Sequence, residues 1–154
     1  MKTKLFLFAL IAILLFGAGC KKETSNESLR IKDFSYLGCK ETKSLRASFH
    51  GEESIEYKAV ADGYLDIKHV NALFNCCPGT IKADVSMEGN IITVVESETD
   101  PICDCICDYD LEYTLGPLKS NKEYILIFSR GTFVFSKLII NYTPSLEGKI
   151  IVQN

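Results

Sequence analysis

The 154-residue chain has no tryptophan, two methionines, four prolines and only two histidines. His50 and His69 lie far apart, so the paired-histidine motif H-E-x-x-H of zinc hydrolases is excluded. Neither a nucleophile elbow G-x-S-x-G nor a phosphate-binding P-loop occurs. His50 stands beside Gly51-Glu52-Glu53 in turn-forming sequence, where spacing indicates no nucleophile for it. Positive charge is short as well: 17 Lys and Arg face 20 Asp and Glu, a formal charge of −3. A protein that grips nucleic-acid phosphates carries a basic patch or stripe, so that class is excluded. No C-x-x-C is present, which removes the thioredoxin-type redox motif. No stretch beyond residue 28 sustains an apolar period of 3.6, which argues against a helical domain. What remains is 47% hydrophobic and 24% charged, enough apolar material for one globular domain and too much for a disordered chain. No catalytic activity and no cofactor are expected.

The longest apolar run is Leu5–Phe16 (LFLFALIAILLF), twelve residues behind Met1-Lys-Thr-Lys4. At about 1.5 Å per helical residue it falls well short of the roughly 30 Å hydrocarbon core. A positive start, a short apolar stretch and small residues at its end are the features of a secretory signal peptide.

Those small residues, Gly17-Ala18-Gly19, end in Cys20. The segment resembles a bacterial lipoprotein signal. The resemblance implies cleavage before Cys20 and acylation of that residue. The strict pattern has an aliphatic residue where Gly17 stands, and the relaxed box is similar to those of Bacteroidota lipoproteins. The implied organisation is a signal peptide over 1–19, a lipidated cysteine and polar tether over 20–28, and a domain over 29–154. Processing would remove Lys2 and Lys4, leaving fifteen Lys and Arg against twenty Asp and Glu, a formal charge of −5. Several acyl chains on one residue exceed the two-signal threshold for stable anchoring. The tether Lys21–Ser28 (KKETSNES) has no apolar residue and would span roughly 15 Å root-mean-square. The implied place is the cell envelope, on the outer membrane of a Gram-negative bacterium. The absence of an acidic run after Cys20 leans toward its periplasmic face. The expected partners are the membrane, through the anchor, and an envelope protein or glycan.

The domain reads as strands. Ile81–Met87 alternates, with Ile81, Ala83, Val85 and Met87 on one face and Lys82, Asp84 and Ser86 on the other. Gly89-Asn90 supplies a turn into Ile91–Val95. Asp62-Gly63 predicts a second hairpin, joining 55–61 to 64–70. Further strands are predicted over 29–36, 44–49, 110–115, 123–128, 132–142 and 149–152. The run EYILIF at 123–128 is apolar on both faces and should be central. Short strands at regular spacing predict an all-β protein, a single antiparallel sandwich of about eight to nine strands.

Leu115-Gly-Pro-Leu118 followed six residues later by Tyr124 resembles the corner between strands E and F of fibronectin type III and other immunoglobulin-like domains. The resemblance implies that Leu118 faces the core and that the Tyr124 hydroxyl bonds to corner backbone.

Besides Cys20 there are six cysteines: Cys39, the vicinal pair Cys76-Cys77, and Cys103, Cys105 and Cys107 in C-x-C-x-C. In an oxidising envelope an even six suggests up to three bridges, with fifteen possible connectivities. Adjacent Cys76 and Cys77 would bridge each other only with strain, and alternate residues of one strand sit near the distance limit. Each member of the vicinal pair therefore more plausibly bonds one of the triplet, with Cys39 taking the third or one thiol remaining free. The pattern Asn75-Cys76-Cys77 with C-x-C-x-C-D resembles patterns in Bacteroidota envelope lipoproteins. A second reading makes the same cysteines, with His69, a zinc or copper site or a thiol-redox centre. His69 shares parity with Leu65 and Ile67 and so is expected to face inward, where a hydrogen-bonded core role competes with ligation. Glu96, Glu98, Asp100, Asp104, Asp108 and Asp110 crowd this region without a calcium-loop pattern and read as a solvated charge run. The preferred reading is a lipid-anchored, disulfide-stapled sandwich that binds or scaffolds. Metal handling or thiol redox is the alternative.

Overall fold

The computed structural model describes residues 28–40 and 51–153. The signal peptide, Cys20, most of the tether, and the strand predicted over 44–49 lie outside the described residues. Among the described residues no helix is long and apolar enough to cross a membrane.

Nine strands form two sheets among the described residues. They are β1 Arg30–Tyr36, β2 Ser54–Ala59, β3 Leu65–Asn75, β4 Thr80–Glu88, β5 Ile91–Thr99, β6 Ile106–Gly116, β7 Lys122–Arg130, β8 Phe133–Tyr142 and β9 Glu147–Ile151. The first sheet runs β1-β6-β3-β2-β9 and the second β4-β5-β7-β8. Between them lie the inward residues of each alternating strand, with Ile55, Leu65, Ala72, Ile92, Val94, Leu111, Leu115, Leu126 and Phe128 fully buried. The fold is therefore an all-β sandwich. A β-sheet that is apolar on one face must cover it, and a second sheet does so here.

Both predicted hairpins form. Asp62 and Gly63 take φ of 61° and 83° between β2 and β3, as a tight turn of this hand requires. Gly63 is also a close approach, because a Cβ there would stand 2.6 Å from the Leu118 carbonyl. Gly89 takes φ 66° between β4 and β5. The run EYILIF lies in β7, an interior strand between β5 and β8.

One pair departs from the expected antiparallel sandwich. β5 and β7 run parallel, from Ile91↔Ile125 to Glu96↔Arg130. After β5 the chain crosses to the first sheet as β6 and returns beside its starting point, and such a crossover leaves the two strands pointing the same way. In the immunoglobulin arrangement both sheets are antiparallel. The likeness to that fold thus holds at the corner but not in the strand beside β7.

At the corner Leu118 is buried, and the Lys119 backbone N–H donates to the Tyr124 hydroxyl at 2.9 Å. Tyr124 itself is buried against the core. Tyr124→Phe should cost about 1 kcal/mol, the net worth of one such bond. Urea denaturation followed by tyrosine fluorescence or circular dichroism measures it, and an unchanged midpoint would remove the corner from the account of stability.

Candidate functional site

Three features gather the chemically capable side chains. The first is the cysteine end. The bridges are Cys39–Cys107, Cys76–Cys105 and Cys77–Cys103. The vicinal pair thus splits between two members of the triplet, and Cys39 takes the third. Only Cys107 of the triplet is in a strand; Cys103 and Cys105 lie in the loop that precedes β6. That loop doubles back along the β3–β4 connection, where the Cys76 N–H bonds the Cys105 carbonyl and the Ile102 N–H the Cys77 carbonyl. Asn75 completes the clamp by donating to the Cys103 carbonyl at 2.5 Å and accepting from the Cys77 N–H at 2.9 Å. The sulfurs of Cys39, Cys76 and Cys107 lie within 4.8 Å of one another, so two of the bridges are neighbours.

The second feature is an ionic core that sequence reasoning missed. His69 on β3 is fully buried, with Nδ1 2.7 Å from Glu96 Oε2 and Nε2 2.9 Å from Glu53 Oε1. Carboxylates only accept, so both ring nitrogens must donate, and the ring is an imidazolium. Burial alone would lower its pKa. The charge of Glu96, the hydrogen bonds to both carboxylates and the charge of Glu53 outweigh burial and raise it to about 9. Glu53 is held below the usual carboxylate range: burial would raise it, but His69 and Arg130 together prevail. Arg130 reaches Glu53 at 3.2 Å and lies over the rings of Phe74 and Phe135, while His69 stacks on Phe135. The Tyr113 hydroxyl donates to the other Glu96 oxygen at 3.0 Å, and burial, then Glu96, push that phenol well above its ordinary pKa.

The members come from both layers. His69, Tyr113 and Glu53 belong to the β1-β6-β3-β2-β9 side, Glu96 and Arg130 to the other. The network is therefore a polar rivet through an apolar sandwich. His69 faces inward as its parity requires, but both its nitrogens are occupied by carboxylates. The alternative metal set joining His69 to Cys76, Cys77, Cys103, Cys105 and Cys107 does not assemble; among the described residues the sulfurs of Cys39, Cys76 and Cys107 alone gather with potential-ligand spacing.

The solvated charge run is corrected in part: Asp100 and Asp104 are exposed, but the other four carboxylates are not. Glu96 is fully buried and Asp108 nearly so, and Glu98 accepts from the Asn75 N–H at 2.9 Å. Asp108 accepts from the Gly51 N–H, and Asp110 pairs with Lys40 at 2.5 Å. Burial would raise the Asp110 pKa, but Lys40 and the Asn71 N–H lower it. Glu96 shares parity with Ile92 and Val94, a signal that the flanking β-branched residues on both faces obscured.

The third feature is open to solvent. The outer face of the first sheet is a groove of about 700 Å³. Asp33 and Ser35 of β1 wall one side, and Glu147, Gly148 and Lys149 of β9 the other. Its floor is the outward set of β2, β3 and β6, where Lys68 pairs with Glu112 at 2.8 Å and Lys149 with Glu56 at 3.2 Å. Thr114 donates to Asp66 at 2.9 Å. Five carboxylates and three ammonium groups line the groove, so donors and acceptors alternate over it with a slight negative excess.

Comparison with protein families, with curated proteins and with solved structures finds no match for this chain.

Proposed function

We propose that the chain is a lipid-anchored cell-envelope protein that acts by binding or scaffolding, with Cys20 carrying the acyl chains and the outer-face groove receiving the partner. The groove carries this reading. It is concave, open and lined by convergent polar groups of both signs, as a recognition site needs. The buried rivet, by contrast, is sealed from any substrate. A fitting ligand is polar and extended, with alternating donors and acceptors, which an envelope protein segment or a glycan would offer. The resemblance of Gly17-Ala18-Gly19-Cys20 to a lipoprotein signal supports the address.

Two measurements test it. Intact-mass analysis of the membrane-extracted protein should show residue 20 as the acylated first residue. The full chain should retain a protein or glycan from solubilised envelope, and Lys68→Glu should lower that affinity at least tenfold. The same substitution should change stability by less than about 1 kcal/mol, because the Lys68–Glu112 pair is half exposed. Affinity that survives reversal at both Lys68 and Lys149 would eliminate the groove as the site.

A second reading is favoured by one observation, the approach of the Cys39, Cys76 and Cys107 sulfurs within 4.8 Å. If these are thiolates in the cell, they would suit zinc or copper(I). Thiol counting under denaturation with elemental analysis separates the readings. Six bridged cysteines and no metal would end the second.

A further inference from the structure

Two of the three bridges touch. The β3–β6 ladder pairs Phe74 with Cys107 and Asn75 with Ile106, and the Cys76 N–H carries it on to the Cys105 carbonyl. Cys76 therefore sits beside Cys105, its bonded partner, and close to Cys107. Its sulfur lies within 4.8 Å of both sulfurs of the Cys39–Cys107 bridge. Cys105, Cys77 and Cys103 stand outside that group of three.

The four cysteines of these two bridges differ in their access to water. Cys39 and Cys105 are exposed, Cys76 is half-buried, and Cys107 is only 6% exposed. Each bridge thus joins an open cysteine to a covered one. A thiolate is disfavoured away from water, whereas a disulfide carries no charge to desolvate. Loss of one bridge therefore leaves the lowest cost when the two covered sulfurs stay joined and the two open ones become thiols.

We propose that the two bridges form one two-electron centre for thiol–disulfide exchange with an exposed dithiol, whose reduced form carries a new bridge, Cys76–Cys107. Exchange proceeds by attack of a thiolate on a disulfide sulfur. A thiolate of the incoming dithiol bonds Cys39 and expels the Cys107 sulfur as a thiolate. That thiolate is buried, with Cys76 in reach. It bonds Cys76 and expels Cys105, which takes up a proton in solvent. The second sulfur of the dithiol then attacks the first, closing the dithiol to a disulfide and expelling Cys39, which takes up the other proton. Two electrons and two protons pass to the protein, whose two bridges become one bridge and two thiols. Entry at Cys105 gives the same product, because the Cys76 thiolate it releases bonds Cys107 and expels Cys39. Cys77–Cys103 stays closed and keeps the β3–β4 connection clamped to the loop before β6. No cysteine lines the outer-face groove, so the exchange stands apart from what the groove binds.

The test treats the full chain, extracted from a bacterial envelope, with one equivalent of dithiothreitol. Acid quenching, alkylation and tandem mass spectrometry of the peptides then locate thiols and bridges. Untreated protein should show the three bridges of the structure. After treatment, Cys39 and Cys105 should be alkylated at least fivefold more than Cys76 and Cys107, and a Cys76–Cys107 link should appear. Single variants read the exchange without reductant. Cys39→Ser should carry its free thiol at Cys105 rather than Cys107, and Cys105→Ser at Cys39 rather than Cys76. The titration of the unaltered protein decides where a variant fails to fold. The proposal is overturned by alkylation confined to the two cysteines of one original bridge or by opening of Cys77–Cys103 first. A free thiol that stays at Cys107 in folded Cys39→Ser, or six free thiols before treatment, overturns it as well.

Discussion

His69→Leu should destabilise the protein by about 3–5 kcal/mol, a large fraction of the roughly 5–15 kcal/mol margin of a folded domain. The leucine would fill the space. The loss comes from Glu53 and Glu96, two buried carboxylates deprived of the cation that both accept from. Arg130 still reaches Glu53, while among the described residues the partner left to Glu96 is the Tyr113 hydroxyl. Replacing the set together, with Glu53→Gln, His69→Leu and Glu96→Leu, should recover much of the loss, since a buried ion pair exchanged for apolar packing is often neutral. Chemical denaturation of the three proteins decides the matter. A single His69→Leu variant within about 1 kcal/mol of the parent would show that the rivet contributes little.

The same network sets the pH dependence. The folded pKa of His69, about 9, lies above the ordinary 6.5. Its contribution is therefore complete below 6.5 and is lost as pH climbs through 9, by about 3 kcal/mol in all. Glu53 and Asp110 titrate below their ordinary values when folded. Their contribution is present above about pH 4.5 and fades as pH falls. Stability should thus be greatest between about pH 4.5 and 6.5 and decline on both sides. A melting profile from pH 3 to 10 shows it; in His69→Leu the alkaline decline should flatten, whereas the acid limb should remain through Asp110.

Reducing the bridges is the second large effect. Cys39–Cys107 spans 68 residues, Cys76–Cys105 spans 29 and Cys77–Cys103 spans 26. On chain-entropy grounds the long one contributes about 4 kcal/mol and each shorter one about 3–4 kcal/mol. The two short loops nest, so their effects overlap. Full reduction should cost several kcal/mol and lower the melting temperature by 15 °C or more. Cys39→Ser with Cys107→Ser should cost more than Cys77→Ser with Cys103→Ser. The reverse order would indicate that the clamp between the β3–β4 connection and the loop before β6, which includes Asn75 and backbone bonds, outweighs loop closure.

Much of the fold was legible. Alternation in Ile81–Met87, the turn residues Asp62-Gly63 and Gly89-Asn90, and the unbroken run in β7 each encode local geometry, and a period of two leaves little freedom. The splitting of the Cys76-Cys77 pair followed from the opposite directions of adjacent side chains. What escaped was long-range. Glu96 looked like one of six acidic residues in a solvated run, because the partner that makes it a core residue, His69, is 27 positions away. The parallel pairing of β5 with β7 could not be read either, since both candidate neighbours of β7 are apolar, β-branched strands.

The groove and the outer face of the second sheet belong to this second class. Each of their residues is an ordinary outward position on its own strand, and only the order β1-β6-β3-β2-β9 and β4-β5-β7-β8 assembles them. The sequence by itself determined the strands, two of the turns, the corner at Leu118 and Tyr124, and which cysteines were free to meet. These depend on neighbours within a few residues, where backbone sterics and side-chain period act directly. Strand order, and with it the meeting of one imidazolium with two distant carboxylates, was decided only by how two apolar faces could close on each other.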